Sequence, residues 1–219
     1  VTLRAIVFDF DGLILDTEWP EFQSLSETFD AHGHRVDMEW FRARIGTVSG
    51  ADWLEELEAA IGETIDRDAV RAARLRRHHE LIAAEDALPG ITDLIDAAHA
   101  AGLGLAVASS SEVPWLEEHL TRLGLHDRFD ALVGRDVVGG VGKPAPDVYL
   151  AALDRLGVGA SEAVALEDSP HGLAAASAAG LACVAIPNRL TAGGDFSAAA
   201  LVVDSAHALT LDTLAALVA

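Results

Sequence analysis

Short apolar runs alternate with stretches of helical spacing along most of the chain. The runs are Ala5 to Phe8, Leu103 to Ala108, Ala131 to Val133, Ala163 to Leu166, Ala182 to Ile186 and Leu201 to Val203. Continuous apolar runs of this length suit strands buried on both faces. Between most of them lie segments with helical spacing: Ile91 to Ala101, Val113 to Leu123, Asp147 to Leu156 and Leu173 to Ala179. Gly102, Gly124, Gly157 and Gly180 follow these segments where a helix C-cap would sit. The alternation predicts an α/β fold with a doubly wound, mainly parallel sheet.

One connection is too long for that scheme. A parallel crossover needs only about a dozen residues beyond its loops, yet no convincing strand follows Phe8 until Leu103. The intervening residues read as helices from Glu18 to Ala31, around Trp40, from Ala51 to Ile61 and from Arg67 to Ala84, with Pro89-Gly90 marking the return. The expected organisation is an α/β core of residues 1–16 and 86–219 with an inserted all-α cap of residues 17–85.

Composition narrows the chemistry. The 219 residues carry 35 Asp+Glu against 15 Lys+Arg, a net charge of −20, which disfavours nucleic acid and anionic lipid as partners. All the basic residues are Arg except Lys143, the only lysine. An acidic protein that handles an anionic substrate must do so through a few placed cations and a metal. The lone Cys183 excludes an internal disulfide and fits a reducing compartment. With no signal-peptide pattern at the start, and with Pro170, Gly172, Gly180 and Pro187 interrupting the longest uncharged stretch, the expectation is a cytoplasmic protein without a membrane span.

Ligands of open α/β sheets bind beyond the carboxyl ends of the strands, and polar residues collect there. The first strand ends Asp9-Phe10-Asp11-Gly12, where Asp9 and Asp11 share a side. Carboxylates that close require a cation or a shared proton, which a hard ion such as Mg²⁺ would answer; an Asp-Gly turn is the plainer reading. A calcium loop fails on spacing. The second strand ends Ser109-Ser110-Ser111-Glu112, either an anion cradle or, with Ser109 and Glu112, a capping box. Lys143 lies in Gly142-Lys143-Pro144-Ala145-Pro146-Asp147, where Pro144 excludes a Walker loop. The fourth strand ends Glu167-Asp168-Ser169-Pro170-His171-Gly172; Ser169 suits an N-cap with Pro170 at N1, and Asp168 alternatively completes a metal site with Asp9 and Asp11.

Taken in order, DxDG, the later Ser109, GKPxPD and EDS resemble the four motifs of the haloacid dehalogenase superfamily of phosphohydrolases, and the resemblance covers essentially the whole chain. The insertion after the first motif resembles the cap of the branch holding β-phosphoglucomutase and phosphoglycolate-type sugar-phosphate phosphatases. The resemblance implies a Mg²⁺-dependent phosphatase acting on a small phosphorylated metabolite. It implies Asp9 as nucleophile, Asp11 as acid and base, and Mg²⁺ held by Asp9, the Asp11 carbonyl and Asp168. Ser109 and Lys143 would bind phosphate oxygens. Glu167 would support the metal or hold Lys143, with Gly12, Ser110, Ser169 and His171 in supporting places. Glu18, Glu21, Gly46 and Thr47 would line the cap side, and Arg42 and Arg44 could meet a second anionic group.

Three rivals stand beside this expectation. A receiver-type phospho-accepting module lacks the insertion and places its acids before the lysine. A phosphosugar mutase uses a His early in the cap and an Arg in the next loop, where this chain has Glu21 and Ser49. The third is a scaffold that binds without turnover.

Overall fold

The computed structural model describes residues 2–42 and 52–218. Six parallel strands form one sheet in the order β3-β2-β1-β4-β5-β6: β1 Ala5–Phe8, β2 Gly104–Ala108, β3 Ala131–Val133, β4 Ala163–Glu167, β5 Ala182–Ala185 and β6 Leu201–Val202. β1 is central, paired with β2 on one side (Val7 opposite Ala106) and β4 on the other (Val7 opposite Ala165). A strand flanked and covered in this way has no wet face, which is why its sequence is apolar without alternation.

The two faces nevertheless differ. Ile6, Phe8, Leu105, Val107, Val164 and Leu166 pack with α5 (Ile91–Ala100), α6 (Val113–Arg122) and α9 (Leu211–Ala215). The intervening Ala5, Val7, Ala106, Ala108, Ala163 and Ala165 face α7 (Asp147–Leu156) and α8 (Pro170–Ala178). The alanine enrichment therefore serves more than helix propensity: small side chains on this face fit the likewise Ala-rich α8. Each buried Ile, Leu or Phe on the opposite face contributes roughly 1.5–3 kcal/mol.

Between β1 and β2 lie α1 (Glu18–Ala31), α2 (Met38–Arg42), α3 (Trp53–Ile61) and α4 (Arg67–Ala83). α1 starts where Asp16 accepts a hydrogen bond from the Trp19 amide at 3.0 Å. Asp52 and Asp66 cap α3 and α4. The predicted α3 start, Ala51, lies outside the described residues. Phe22, Leu25, Phe29, Phe41 and Leu57 form a separate apolar cluster that also takes in Leu190 from the segment after β5. Both connections to the insertion run side by side, since Leu15 bridges Ala87 and the Leu88 amide donates to the Ile14 carbonyl at 2.8 Å.

α8 begins at Pro170 with Ser169 as its N-cap, as the sequence suggests, since Ser169 Oγ accepts from the Gly172 amide at 3.1 Å. α9 was not marked by the apolar pattern. Among the described residues no helix is long and apolar enough to cross a membrane.

Candidate active site

The carboxyl ends of β1, β2 and β4 open into a cavity of ≈ 220 Å³, lined from the sheet side by Asp9, Asp11, Ser109, Ser110, Ser111, Lys143, Asp168 and Ser169. Thr17, Glu18 and Glu21 close it from the start of α1, and His78 from α4. Asp9, Asp11, Ser109, Ser110, Asp168 and Ser169, all singled out in the sequence, thus share one cavity with Lys143, and so do Glu18 and Glu21, whereas Gly12 and Glu167 do not line it. Gly46 and Thr47, like Arg44 and Ser49, lie outside the described residues. Arg42 is on the exposed side of α2, paired with Glu39 at 2.7 Å. His171 does not line the cavity.

Lys143 is the electrostatic centre. Only 5% exposed, its Nζ lies 2.6 Å from Asp9 Oδ1 and 2.5 Å from Glu167 Oε1, above the Tyr149 ring. Its amide donates to Ser110 Oγ at 3.1 Å, which ties the lysine loop to the β2 end. Burial alone would lower the pKa of the ammonium, but the charges of Asp9 and Glu167 outweigh it and hold the value above the usual lysine range.

Glu167 is fully buried and accepts from Lys143 Nζ, Tyr149 Oη (2.6 Å), the amides of Asp168 and Ser169, and Ser169 Oγ. It sits at the N-terminal end of α8, where the helix dipole favours an anion. Gly172 makes this possible: a Cβ there would fall 1.9 Å from the carboxyl carbon of Glu167. Gly172→Ala is expected to cost at least about 1–3 kcal/mol through overpacking, read as a lower urea midpoint. An unchanged midpoint would show that the Glu167 carboxylate can move aside despite its bonds.

Asp9, Glu167 and Asp168 bring carboxylate oxygens within 4.8 Å of one another, all buried. Against one ammonium, three carboxylates, if all were ionised, would leave two uncompensated negative charges. The crowding raises the proton affinity of two of them. Burial, then the charge of Glu167, pushes Asp9 up to about 7 although Lys143 pulls the other way. Burial and the neighbouring Asp9 and Glu167 raise Asp168 well above the carboxylate range. A buried cluster of hard oxygen donors short of two positive charges fits a divalent cation. Asp168 is oriented by Asn188, whose Nδ2 donates to Asp168 Oδ2 (2.8 Å) and to the Gly12 carbonyl (3.2 Å). Gly12 has φ +82° and passes so close that a Cβ would lie 2.6 Å from Asp168 Oδ2, a place for glycine on both counts.

The Asp11 side chain turns away from this cluster. Its Oδ2 accepts from Ser111 Oγ (2.7 Å) and Ser109 Oγ (3.1 Å), and its Oδ1 from Trp115 Nε1 (3.0 Å). The capping-box alternative for Ser109 does not form: Glu112 makes no side-chain cap, and the Val113 amide donates instead to Asp136. Ser169 does cap α8, while also donating to Glu167.

The sequence reading missed Asn188, Tyr149, Trp115 and His78. Asn188 ends the apolar run of β5 and obeys the same strand-end rule as the others. Tyr149 is the only tyrosine, a compositional signal like that of Lys143. Trp115 and His78 lie on helices and carried no signal; burial pushes His78 down to about 4, so its imidazole is neutral near pH 7.

A parallel α/β sheet with a helical insertion after its first strand, and an aspartate, a lysine and an acidic pair meeting at the strand ends, defines a hydrolase class. The chain belongs to the haloacid dehalogenase-like hydrolase family, whose model matches residues 3–180, and it is an enzyme of the phosphatase class. It is 40% identical over 189 residues to YhcW of Bacillus subtilis (strain 168), covering 86% of both chains. It is 30% identical to hexitol phosphatase B of Escherichia coli (strain K12), covering 84% of each. Among solved structures, CbbY from Rhodobacter sphaeroides, in a mutant form complexed with xylulose-1,5-bisphosphate, superposes with a TM-score of 0.77 at 33% identity, covering 97% of this chain and 99% of that one.

Proposed function

We propose that the protein hydrolyses a phosphorylated sugar or polyol through an aspartyl-phosphate on Asp9, with Mg²⁺ as cofactor. The observation that carries this reading is the cavity in which Asp9 meets Lys143 while Asp11 lines the same space, accepting from the Ser109 hydroxyl. The names of the relatives support a phosphorylated carbohydrate as the substrate class.

Asp9 Oδ attacks phosphorus, a new Asp9 O–P bond forms, and the P–O bond to the sugar breaks. The departing oxygen takes a proton from the Asp11 carboxyl. Lys143 and the Ser109 hydroxyl hold phosphate oxygens as charge develops, a role worth about 10²–10³-fold per donor. Water then attacks phosphorus, Asp11 takes its proton, and the Asp9 O–P bond breaks to give inorganic phosphate and free Asp9. Mg²⁺, held by Asp9, Asp168 and the Asp11 carbonyl, would neutralise the repulsion between carboxylate and phosphate. Glu167 acts by holding Lys143.

The test is phosphate release from a panel of hexose, hexitol and pentulose phosphates and bisphosphates. Release is expected with Mg²⁺, lost after EDTA treatment and restored by added Mg²⁺. Turnover indifferent to chelation would remove the metal from the reading. Glucose 6-phosphate formed from β-glucose 1-phosphate with a bisphosphate primer would turn it toward a mutase.

A further inference from the structure

Of the two Asp11 oxygens, Oδ2 is shared by the hydroxyls of Ser111 and Ser109, whereas the donor on Oδ1 is the indole N–H of Trp115 at 3.0 Å. The indole is itself held in a slot. His119, one turn further along α6, packs against it edge-on with ring centroids 4.1 Å apart and an interplanar angle of 73°. His78 of α4 lies nearly parallel on another side, at 6.2 Å and 12°. A phenylalanine would fill the same slot, but only tryptophan brings an N–H to the carboxylate, in a charge-assisted bond.

We propose that Trp115 is a positioning residue for Asp11: its N–H fixes the direction in which the Asp11 carboxyl presents its proton to the leaving oxygen. Because His78 forms one wall of the slot, the seating of the helical insertion bears on that direction. The inference rests on the reading of Asp11 as proton donor.

The test compares esters whose leaving groups differ in their need for a proton. Phenyl phosphate releases a basic phenolate, and 2,4-dinitrophenyl phosphate a phenolate that departs unprotonated. The ratio kcat/KM is the quantity to read, since it covers the steps up to departure of the leaving group and excludes later hydrolysis of the phospho-enzyme. Trp115→Phe should lower kcat/KM for phenyl phosphate by about 10–10²-fold and for the dinitrophenyl ester by less than about threefold, a part of what losing acid help costs. Asp11→Asn should show the same discrimination more strongly. Equal losses on both esters in Trp115→Phe, or no loss on either, overturn the proposal while Asp11→Asn still discriminates. Absence of discrimination in Asp11→Asn overturns the proton-donor reading and the proposal with it.

A second measurement does not depend on Trp115→Phe folding. In ¹⁵N–¹H spectra with the four indole N–H resonances assigned, Asp11→Asn should shift that of Trp115 and leave Trp19, Trp40 and Trp53 in place. A Trp115 resonance that stays put sinks the proposal.

Discussion

Asp9→Asn is expected to reduce phosphate release by about 10⁴-fold or more, because the amide cannot form the acyl phosphate on which both half-reactions depend. The same substitution should strengthen the metal-free fold. Asp9 is held at about 7 in the folded protein against an ordinary value of 3.8, so the folded state binds more protons than the unfolded one between those values. Stability is then lost as pH rises through that window. The amide carries no charge, so in EDTA the variant should gain in Tm over the parent at pH 8, and the gain should vanish near pH 4. Activity and stability moving in opposite directions would mark Asp9 as a residue retained at a cost to the fold. A variant equally active, or one less stable at pH 8 in EDTA, would contradict this account.

Lys143→Arg is expected to be damaging too, though less so. The ammonium is a compact point charge fitted between Asp9 and Glu167 and over Tyr149; a planar fork is broader and directs its donors differently. Loss of the donor to phosphate should lower kcat by about 10²–10³-fold. Lys143→Met separates charge from shape: removing one partner of a buried ion pair leaves Glu167 unpaired, at a cost of about 3–5 kcal/mol in chelator. Denaturant titration of the two variants with and without Mg²⁺ checks both parts. Wild-type activity in Lys143→Arg would make the single lysine of this arginine-rich chain incidental.

The sheet was legible because strands buried on both faces cannot hide a polar residue in mid-run, so their ends announce themselves. β1, β3 and the helix Asp147–Leu156 fall on the residues that the pattern marks. By the same logic the polar strand ends Asp9, Ser109 and Glu167-Asp168 were readable as a group, and Lys143 by its rarity. What stayed hidden depends on side chains that cross between elements. Trp115 reads as an ordinary half-buried position of an amphipathic helix, and nothing in its spacing tells that its one polar atom reaches Asp11, 104 residues away. The difference between the two sheet faces was invisible too, since alternation of large with small apolar residues leaves no trace in a pattern of apolar against polar.

The segment after β5 belongs to two neighbourhoods at once. Asn188 steadies Asp168, Arg189 pairs with Asp16 at 2.7 Å and lies 4.0 Å over the Trp19 ring, and Leu190 is buried in the apolar cluster of the insertion. The helical insertion is therefore not a detachable cassette, although its two connections lie side by side. A chimera that exchanges residues 17–85 alone would leave Leu190 without its pocket and Arg189 without its ring, next to the asparagine that orients the acidic cluster. New specificities grafted onto this scaffold have to bring residues 189 and 190 with them.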